Sequence, residues 1–158
     1  QLIQSTNSTV NIILQEFIAF SRGKDLRVIV IGGRAVSCMQ RTASDDNFKA
    51  NISQGGFGTK YPITPEIEWI AREAARVLDL DVAGVDLLFD HDHFKICEVN
   101  SAPQFRGMES CHDNLSIASE ILRYAQVRLG NFEALRELPA LPLPQQSLVL
   151  QELDAVPQ

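Results

Sequence analysis

Apolar and polar positions along the chain alternate in a way that predicts both strands and helices. Five apolar stretches, several of them rich in β-branched side chains, predict strands at residues 11–18, 26–33, 35–42, 83–89 and 94–100. The second and third of these flank two consecutive glycines, which predicts a hairpin. The last two flank a short polar stretch at residues 90–93, and we expect a second hairpin there.

Helical spacing of apolar residues predicts two helices. Thr64 and Pro65 are typical of an N-cap and a first helical position, and the apolar pattern then continues to about Leu78. A second helix is predicted after Asn114 as N-cap, with an apolar face that reaches Leu129. The predicted fold class is therefore α+β, with an antiparallel sheet backed by two main helices.

The rest of the chain lacks these patterns. Residues 44–60 are polar and contain three glycines, which predicts a long loop. We expect residues 1–10 to be an N-terminal remnant, residues 11–130 to fold, and residues 131–158 to form a disordered, proline-containing tail. Because the chain begins with Gln, we also expect it to be a piece of a longer protein.

Composition narrows the classes of function. The formal net charge is −6, which argues against nucleic-acid binding. A nucleotide is not excluded, because a few placed cations together with Mg²⁺ can hold a triphosphate. The sequence contains neither a run of roughly 20 apolar residues nor a signal peptide, and its three cysteines are widely spaced. We therefore predict a cytoplasmic protein with reduced thiols and no membrane partner.

Asp86 lies in the middle of an apolar strand, where an unpaired charge would be very costly. With a three-residue turn, Asp86 would lie opposite Glu98, and Asn100 would lie on the same face. Two such carboxylates repel unless a proton or a cation lies between them, and oxygen ligands suit Mg²⁺. Alternatively, Asp86 pairs with a nearby arginine and Glu98 faces solvent. The hairpin by itself leaves both interpretations open.

Longer segments resemble the RimK-like ATP-grasp carboxylate–amine ligases, a family that includes ribosomal-protein glutamate ligases. The matching segments are LQEFIAFSRGKDLRVIVIGG at residues 14–33, MQRTASDDNFKANISQGG at 39–56, LDLDVAGVDLL at 78–88 and CEVNSAPQFRGME at 97–109. They occur in the family's order, so the resemblance covers residues from about 11 to about 128. It implies the fold of the C-terminal portion of an ATP-grasp domain.

The resemblance also implies roles for individual residues. The expected contacts to the nucleotide are the adenine hinge, the residue closing the ribose side and a phosphate segment: Gln15, Glu16, Phe17 and Ile18, then Asp25, then Lys49, Ala50 and Asn51. The expected groups around the reacting atoms are two cations facing phosphate or acylphosphate and three Mg²⁺ ligands: Arg27 and Arg41, then Asp86, Glu98 and Asn100.

The implied activity is an ATP-dependent ligation with Mg²⁺, or Mn²⁺, as the metal. A carboxylate of a small molecule or a protein is joined through an acylphosphate to the amine of an amino acid, with glutamate favoured. The family's triphosphate-binding lysines lie upstream of the matched segments, so we expect this chain alone to be inactive. A homo-oligomer is compatible with this interpretation. The alternative is a non-catalytic nucleotide-binding or interaction module derived from such an enzyme.

Overall fold

The computed structural model describes residues 14–44 and 56–130 of the 158-residue chain. These residues group into two compact units that divide between Gln104 and Phe105. The first unit contains a short 3₁₀ turn, one helix and five strands: Ala19–Ser21, then β1 (Lys24–Ile31), β2 (Arg34–Thr42), β3 (Phe57–Lys60), α1 (Pro65–Val77), β4 (Val82–Asp90) and β5 (His93–Asn100). The second unit contains α2 (Arg106–Ser110) and α3 (Ile117–Arg128).

The five strands form one sheet in the order β3-β2-β1-β4-β5, and every neighbouring pair is antiparallel. The predicted α+β class with an antiparallel sheet is therefore confirmed. Gly32 and Gly33 form the two-residue turn between β1 and β2, with φ values of 57° and 73°. Two consecutive positive φ angles are what a tight hairpin turn of this hand requires, and glycine adopts them without a steric penalty.

Helix α1 covers one face of the sheet, as its apolar pattern predicts. The Thr64 side chain accepts a hydrogen bond from the Ile67 backbone N–H at 3.3 Å, which caps the helix where the sequence placed its start. The core between helix and sheet is built from one isoleucine and three alanines of the helix and from apolar residues of the strands: Leu26, Val28, Val30, Cys38, Ile67, Ala71, Ala74, Ala75, Ala83, Val85 and Leu87. The small alanine side chains of α1 let the helix pack close to the sheet. Because side chains alternate along each strand, the residues between these core positions lie on the other face of the sheet.

Each hairpin contains one β-bulge that shifts its register by one residue. Between β1 and β2 the pairing changes from Val30↔Ala35 to Ile29↔Ser37, so Val36 is the extra residue. Between β4 and β5 it changes from Leu87↔Ile96 to Asp86↔Glu98, so Cys97 is the extra residue. Successive side chains of a strand point to opposite faces of the sheet. A register shift of one residue therefore changes which side chain lies beside a given residue of the neighbouring strand.

Three predictions for the first unit need correction. Residues 14–18 form no strand; their contact with the sheet is made by side chains rather than by backbone pairing, and residues 11–13 lie outside the described ranges. The last four residues of the predicted loop at 44–60 form strand β3. Backbone hydrogen bonds hold β3 against β2, so the strand forms without an alternating apolar pattern in its sequence. The β4–β5 turn has two residues, His91 and Asp92, rather than three.

In the second unit, helix α3 starts later than predicted. Its N-cap is Ser116, whose side chain accepts a hydrogen bond from the Ser119 backbone N–H at 3.3 Å. Asn114 has a φ of 59°, which belongs to a turn residue and not to an N-cap. The Glu109 carboxylate accepts from the Ile117 N–H at 2.8 Å and so satisfies another free donor of the first turn. The short helix α2 was not predicted.

The predicted tail at residues 131–158 lies outside the described residues. None of the helices in the described ranges is long and apolar enough to cross a membrane.

Candidate active site

Four neighbouring strands contribute a row of charged side chains to the sheet face opposite α1. They are Asp25 and Arg27 on β1, Arg41 on β2, Asp86 on β4 and Glu98 on β5, and we refer to these five residues as the charged face. The strand pairing places them next to one another, since Asp25 pairs with Arg41, Arg27 with Asp86, and Asp86 with Glu98. Both bulges are needed for this arrangement, because without them Asp25 would face Gln40 and Asp86 would face Cys97.

Asp86 is the centre of the charged face and is only 3% exposed. Its Oδ1 accepts from Arg27 Nε at 2.7 Å, and its Oδ2 accepts from Arg27 Nη2 and Arg41 Nη2, both at 2.7 Å. A buried carboxylate needs such partners, because an unpaired charge in the interior is strongly destabilising. Asp86 therefore forms the ion pair with arginine that was one of the two predictions. It also lies opposite Glu98 in the strand register, as the other prediction required.

Arg41 is held from a second side by Asp25. Its Nε donates to Asp25 Oδ1 at 2.6 Å, and its Nη2 donates to Asp25 Oδ2 at 2.8 Å. Burial lowers the pKa of Arg41, but its hydrogen bonds and charge interactions with Asp25 and Asp86 outweigh burial and raise it, so the guanidinium stays charged. Burial raises the pKa of Asp25, and the Arg41 guanidinium opposes that increase.

Glu98 differs from Asp86 in exposure and in pairing. Its side chain is 60% exposed, and Oε1 lies 3.6 Å from Arg27 Nη2, too far for a strong hydrogen bond. Partial burial raises the pKa of Glu98, and the hydrogen bond and negative charge of Asp86 raise it further. Two carboxylates that face each other in this way are stabilised by a proton or by a cation.

The donor atoms on β4 and β5 fit a hard cation. Among the residues that the structure describes, Asp86 Oδ1 accepts one hydrogen bond, from Arg27 Nε, and so keeps one lone pair, while Glu98 faces outward. Asn100 Oδ1 accepts from the Ala102 N–H at 2.8 Å and also keeps a lone pair. Within the described ranges no group of three or more His, Cys, Asp and Glu side chains could hold a metal. Two carboxylates and one amide nevertheless suit Mg²⁺, which takes few protein ligands and completes its shell with phosphate and water.

Gly84 and Pro103 support this end of the sheet, and their contact was not predicted from the sequence. A Cβ atom on Gly84 would lie 2.6 Å from Pro103 Cβ, so only glycine allows the chain after β5 to pass here. Because Gly84 pairs directly with Asn100, this contact fixes the backbone from which the Asn100 amide projects. The segment following Asn100 is therefore part of the support of the site.

The predicted adenine hinge lies beside β5. Gln15 Nε2 is 3.5 Å from the Cys97 carbonyl oxygen, and Glu16 is 3.6 Å from the Lys95 ammonium. Phe17 is largely exposed, and the Ile18 carbonyl accepts the first hydrogen bond of the 3₁₀ turn from the Ser21 N–H. The structure therefore places this hinge segment next to the strand that carries Glu98. The predicted phosphate segment, Lys49, Ala50 and Asn51, lies outside the described residues.

A separate groove of about 740 Å³ lies between α1 and β5, on the sheet face opposite the charged face. Its lining is mostly apolar and includes exposed side chains of Trp69, Val77, Leu78 and Ile96. None of the predicted site residues lines this groove. We therefore place the candidate site on the charged face.

Comparison with known proteins identifies the class of fold and then the family. Two solved ATP-grasp ligases share the fold: PsnB, in complex with a phosphomimetic variant of its minimal precursor, Mg and ADP, and a RiPP-associated ligase from Chryseobacterium gregarium, in complex with ADP and a leader and core peptide. Their TM-scores are 0.54 and 0.51, at 21% and 18% identity. The alignments cover 68% and 70% of this chain and 32% and 34% of those chains.

Residues 1–125 match the RimK-like ATP-grasp domain, and the chain belongs to this family. It is 42% identical over 126 residues to a probable alpha-L-glutamate ligase from Hydrogenovibrio crunogenus, and 46% identical over 120 residues to one from Parasynechococcus marenigrum. These alignments cover 79% and 76% of this chain but only 42% and 26% of the two relatives. The predicted family is confirmed, and the chain spans less than half the length of these relatives.

Proposed function

We propose that the protein acts as an ATP- and Mg²⁺-dependent ligase that joins a carboxylate to the amine of an amino acid, with glutamate as the favoured amine. The observation that carries this proposal is the charged face, where two facing carboxylates adjoin two arginines that are held in fixed orientations. Membership of the RimK-like family and similarity to probable glutamate ligases support the same activity.

The reaction has two steps. An oxygen of the acceptor carboxylate attacks the γ-phosphorus of ATP, the bond from that phosphorus to the β-bridging oxygen breaks, and ADP leaves. The amine nitrogen of glutamate then attacks the carbonyl carbon of the acylphosphate, the bond to the phosphate oxygen breaks, and inorganic phosphate leaves with the electron pair. The amine gives up a proton and an amide remains. Such chemistry depends mainly on positioning and charge neutralisation.

The two arginines are suited to binding the transferring phosphoryl group. Each guanidinium uses Nε and Nη2 to bind carboxylates of the charged face. Within the described part of the chain, Nη1 of Arg27 and Nη1 of Arg41 have no hydrogen-bond partner, so each offers two further N–H donors. Charge-assisted hydrogen bonds from these donors would hold acylphosphate oxygens.

Asp86, Glu98 and Asn100 would hold the metal through their remaining oxygen lone pairs. Bound Mg²⁺, or Mn²⁺, would neutralise the charge that develops on the phosphate oxygens. Glu98 is the ligand with the freest access, because its side chain is the most exposed of the charged face. Its proximity to Asp86 leaves a negative site that a cation stabilises.

We further propose that residues 15–18 hold adenine, mainly through backbone groups, and that Lys49, Ala50 and Asn51 contact the nucleotide phosphates. The position of the first of these segments beside β5 supports the proposal, since β5 also carries Glu98. The acceptor is either a small acid or a protein carboxylate, and both classes belong in the test.

The test uses the full-length protein with Mg²⁺-ATP, glutamate and a panel of acceptors that contains small dicarboxylic acids and peptides with free C termini. We expect ADP and phosphate to form in equal amounts, and mass spectrometry to find acceptors that have gained one glutamyl residue. The Glu98→Gln variant should fold normally and lose this activity. Tight Mg²⁺-ATP binding without turnover on any acceptor would instead favour a non-catalytic nucleotide-binding module.

A further inference from the structure

Ser21 is the one buried residue in the segment that leads into β1. It is only 6% exposed, whereas the other residues of 14–23 are exposed or half-buried. Gln15 and Glu16 of the proposed adenine hinge reach β5 through surface contacts of 3.5 and 3.6 Å, and the Phe20 ring lies 4.0 Å from the ring of His91. Water competes for polar contacts of this length, so they hold the segment only weakly.

The Ser21 side chain joins two strands by short hydrogen bonds. Its Oγ donates to the Lys24 carbonyl oxygen at 2.6 Å and accepts from the Phe89 backbone N–H at 3.0 Å. The β1–β4 pairing ends at Leu26↔Leu87, and its register continued by two residues would bring Lys24 opposite Phe89. The hydroxyl therefore lies where direct pairing has ended and connects the backbones of β1 and β4.

The same two strands carry the charged face. Lys24 precedes Arg27 on β1 by three residues, and Phe89 follows Asp86 on β4 by three residues. The Ser21 N–H also donates to the Ile18 carbonyl oxygen at 3.0 Å, at the end of the proposed adenine hinge. One residue thus connects the hinge to the two strands from which Arg27 and Asp86 project.

We propose that Ser21 is a positioning residue for the nucleotide, and that its hydroxyl sets the distance between adenine at the hinge and the metal ligands of the charged face. The proposal rests on the proposed function, in which residues 15–18 hold adenine. Loss of the hydroxyl leaves the hinge with its weak surface contacts. The apparent Kd for ATP then rises in inverse proportion to the fraction of molecules in which the hinge is correctly placed.

The experiment measures Kd for Mg²⁺-ATP and Mg²⁺-GTP by isothermal titration calorimetry, with the full-length protein and without acceptor or amino acid. Guanine carries an acceptor where adenine carries its amino donor, so a correctly placed hinge distinguishes the two bases. The variants are Ser21→Ala and Ser21→Cys. The thiol has nearly the same shape but is a weak hydrogen-bonding group, so Ser21→Cys serves if Ser21→Ala fails to fold.

Two controls separate positioning from a general loss of stability. Ser110→Ala removes an exposed hydroxyl that donates to the Gly107 carbonyl oxygen at 2.9 Å, which matches the chemistry of the change at Ser21. Ala71→Gly lies in the buried face of α1 and destabilises the helix, and Ala71 is neither in the hinge nor on the charged face.

We expect Ser21→Ala to raise Kd for Mg²⁺-ATP by about tenfold and Ser21→Cys by about threefold or more, while Kd for Mg²⁺-GTP changes by less than about twofold. The preference for ATP over GTP should therefore fall. Turnover of the ligase at saturating ATP should stay within about threefold of the unmodified protein, because the groups at the reacting atoms are unchanged. Both controls should keep Kd for ATP within about twofold.

An ATP Kd within about twofold of the unmodified value in Ser21→Ala, or in Ser21→Cys if the first variant does not fold, would overturn the proposal and leave Ser21 a purely structural role. An equal loss of binding in Ala71→Gly would do the same, since lower stability would then explain it.

The proposed function can fail separately. If the unmodified protein binds Mg²⁺-ATP but forms no product with any acceptor, the ligase function is wrong and the binding data still decide the role of Ser21. If the unmodified protein binds no ATP, or binds ATP and GTP equally, the nucleotide role of residues 15–18 and the positioning role of Ser21 are both wrong.

Discussion

Asp86 and Glu98 face each other, yet their replacement by the matching amides should affect stability in opposite directions. Asp86 is buried and accepts three hydrogen bonds from two guanidinium groups. In Asp86→Asn the charge is lost, and the new amide N–H₂ group faces a guanidinium donor instead of accepting from it. Arg41 keeps Asp25, but Arg27 keeps only Glu98 at 3.6 Å.

The magnitude follows from burial. Removal of one partner from a buried ion pair costs about 3–5 kcal/mol, and the lower end applies here because Arg41 retains a second carboxylate. Glu98→Gln removes an exposed carboxylate that makes no short ion pair, so the change should be within about 1 kcal/mol, and stabilising at neutral pH because repulsion with Asp86 is relieved. A domain is stable by only about 5–15 kcal/mol, so the first change is large.

Urea unfolding followed by circular dichroism measures the difference. With a slope of about 1–3 kcal/mol per molar urea, Asp86→Asn should lower the midpoint by about 1–3 M. Glu98→Gln should leave the midpoint unchanged or raise it slightly. If Asp86→Asn shifted the midpoint no more than Glu98→Gln does, the conclusion that Asp86 is the buried centre of an ion network would be wrong.

Three further predictions concern pH, packing and thiol chemistry. The pKa of Glu98 is raised above its usual 4.5, so ionised Glu98 destabilises the metal-free protein; the stability gain of Glu98→Gln should be absent below pH 4.5 and grow as the pH rises through the raised pKa, as thermal melts at several pH values would show. Gly84→Ala should cost about 1–3 kcal/mol because its Cβ overlaps the Pro103 ring, and chemical denaturation should find a smaller cost, about 1 kcal/mol, for the control Gly33→Ala, where a positive φ is the only obstacle. Burial raises the pKa of Cys38 to about 12, so this thiol should react with a disulfide reagent only after denaturant unfolds the protein.

The elements with strong patterns were predictable from the sequence. Helix α1 and strands β1, β2, β4 and β5 correspond to segments with clear helical or apolar patterns, because the core against α1 selects those side chains. Strand β3 was missed, since a short edge strand is held by backbone pairing and carries little apolar pattern. The predicted strand at residues 11–18 is not formed where it is described, at 14–18.

The arrangement of the charged face was predictable only in part. Asp86 was expected opposite Glu98, and the pairing is as expected, but it results from a two-residue turn and a bulge at Cys97 instead of a three-residue turn. The pairing of Asp25 with Arg41 depends on a second bulge, at Val36. Bulges shift every subsequent pair by one residue, and nothing in the local composition marks where they occur.

Transfer of an acceptor oxygen to phosphate tests the central claim most directly. The full-length protein would be incubated with Mg²⁺-ATP, glutamate and an acceptor in which both oxygens of the reacting carboxylate are ¹⁸O, and the inorganic phosphate would be analysed by mass spectrometry. Attack of the carboxylate on the γ-phosphorus predicts one ¹⁸O atom in each phosphate released during ligation, with ADP as the other product. Unlabelled phosphate, or ¹⁸O in AMP, would show that the carboxylate is not activated as an acylphosphate and would contradict the account of the charged face.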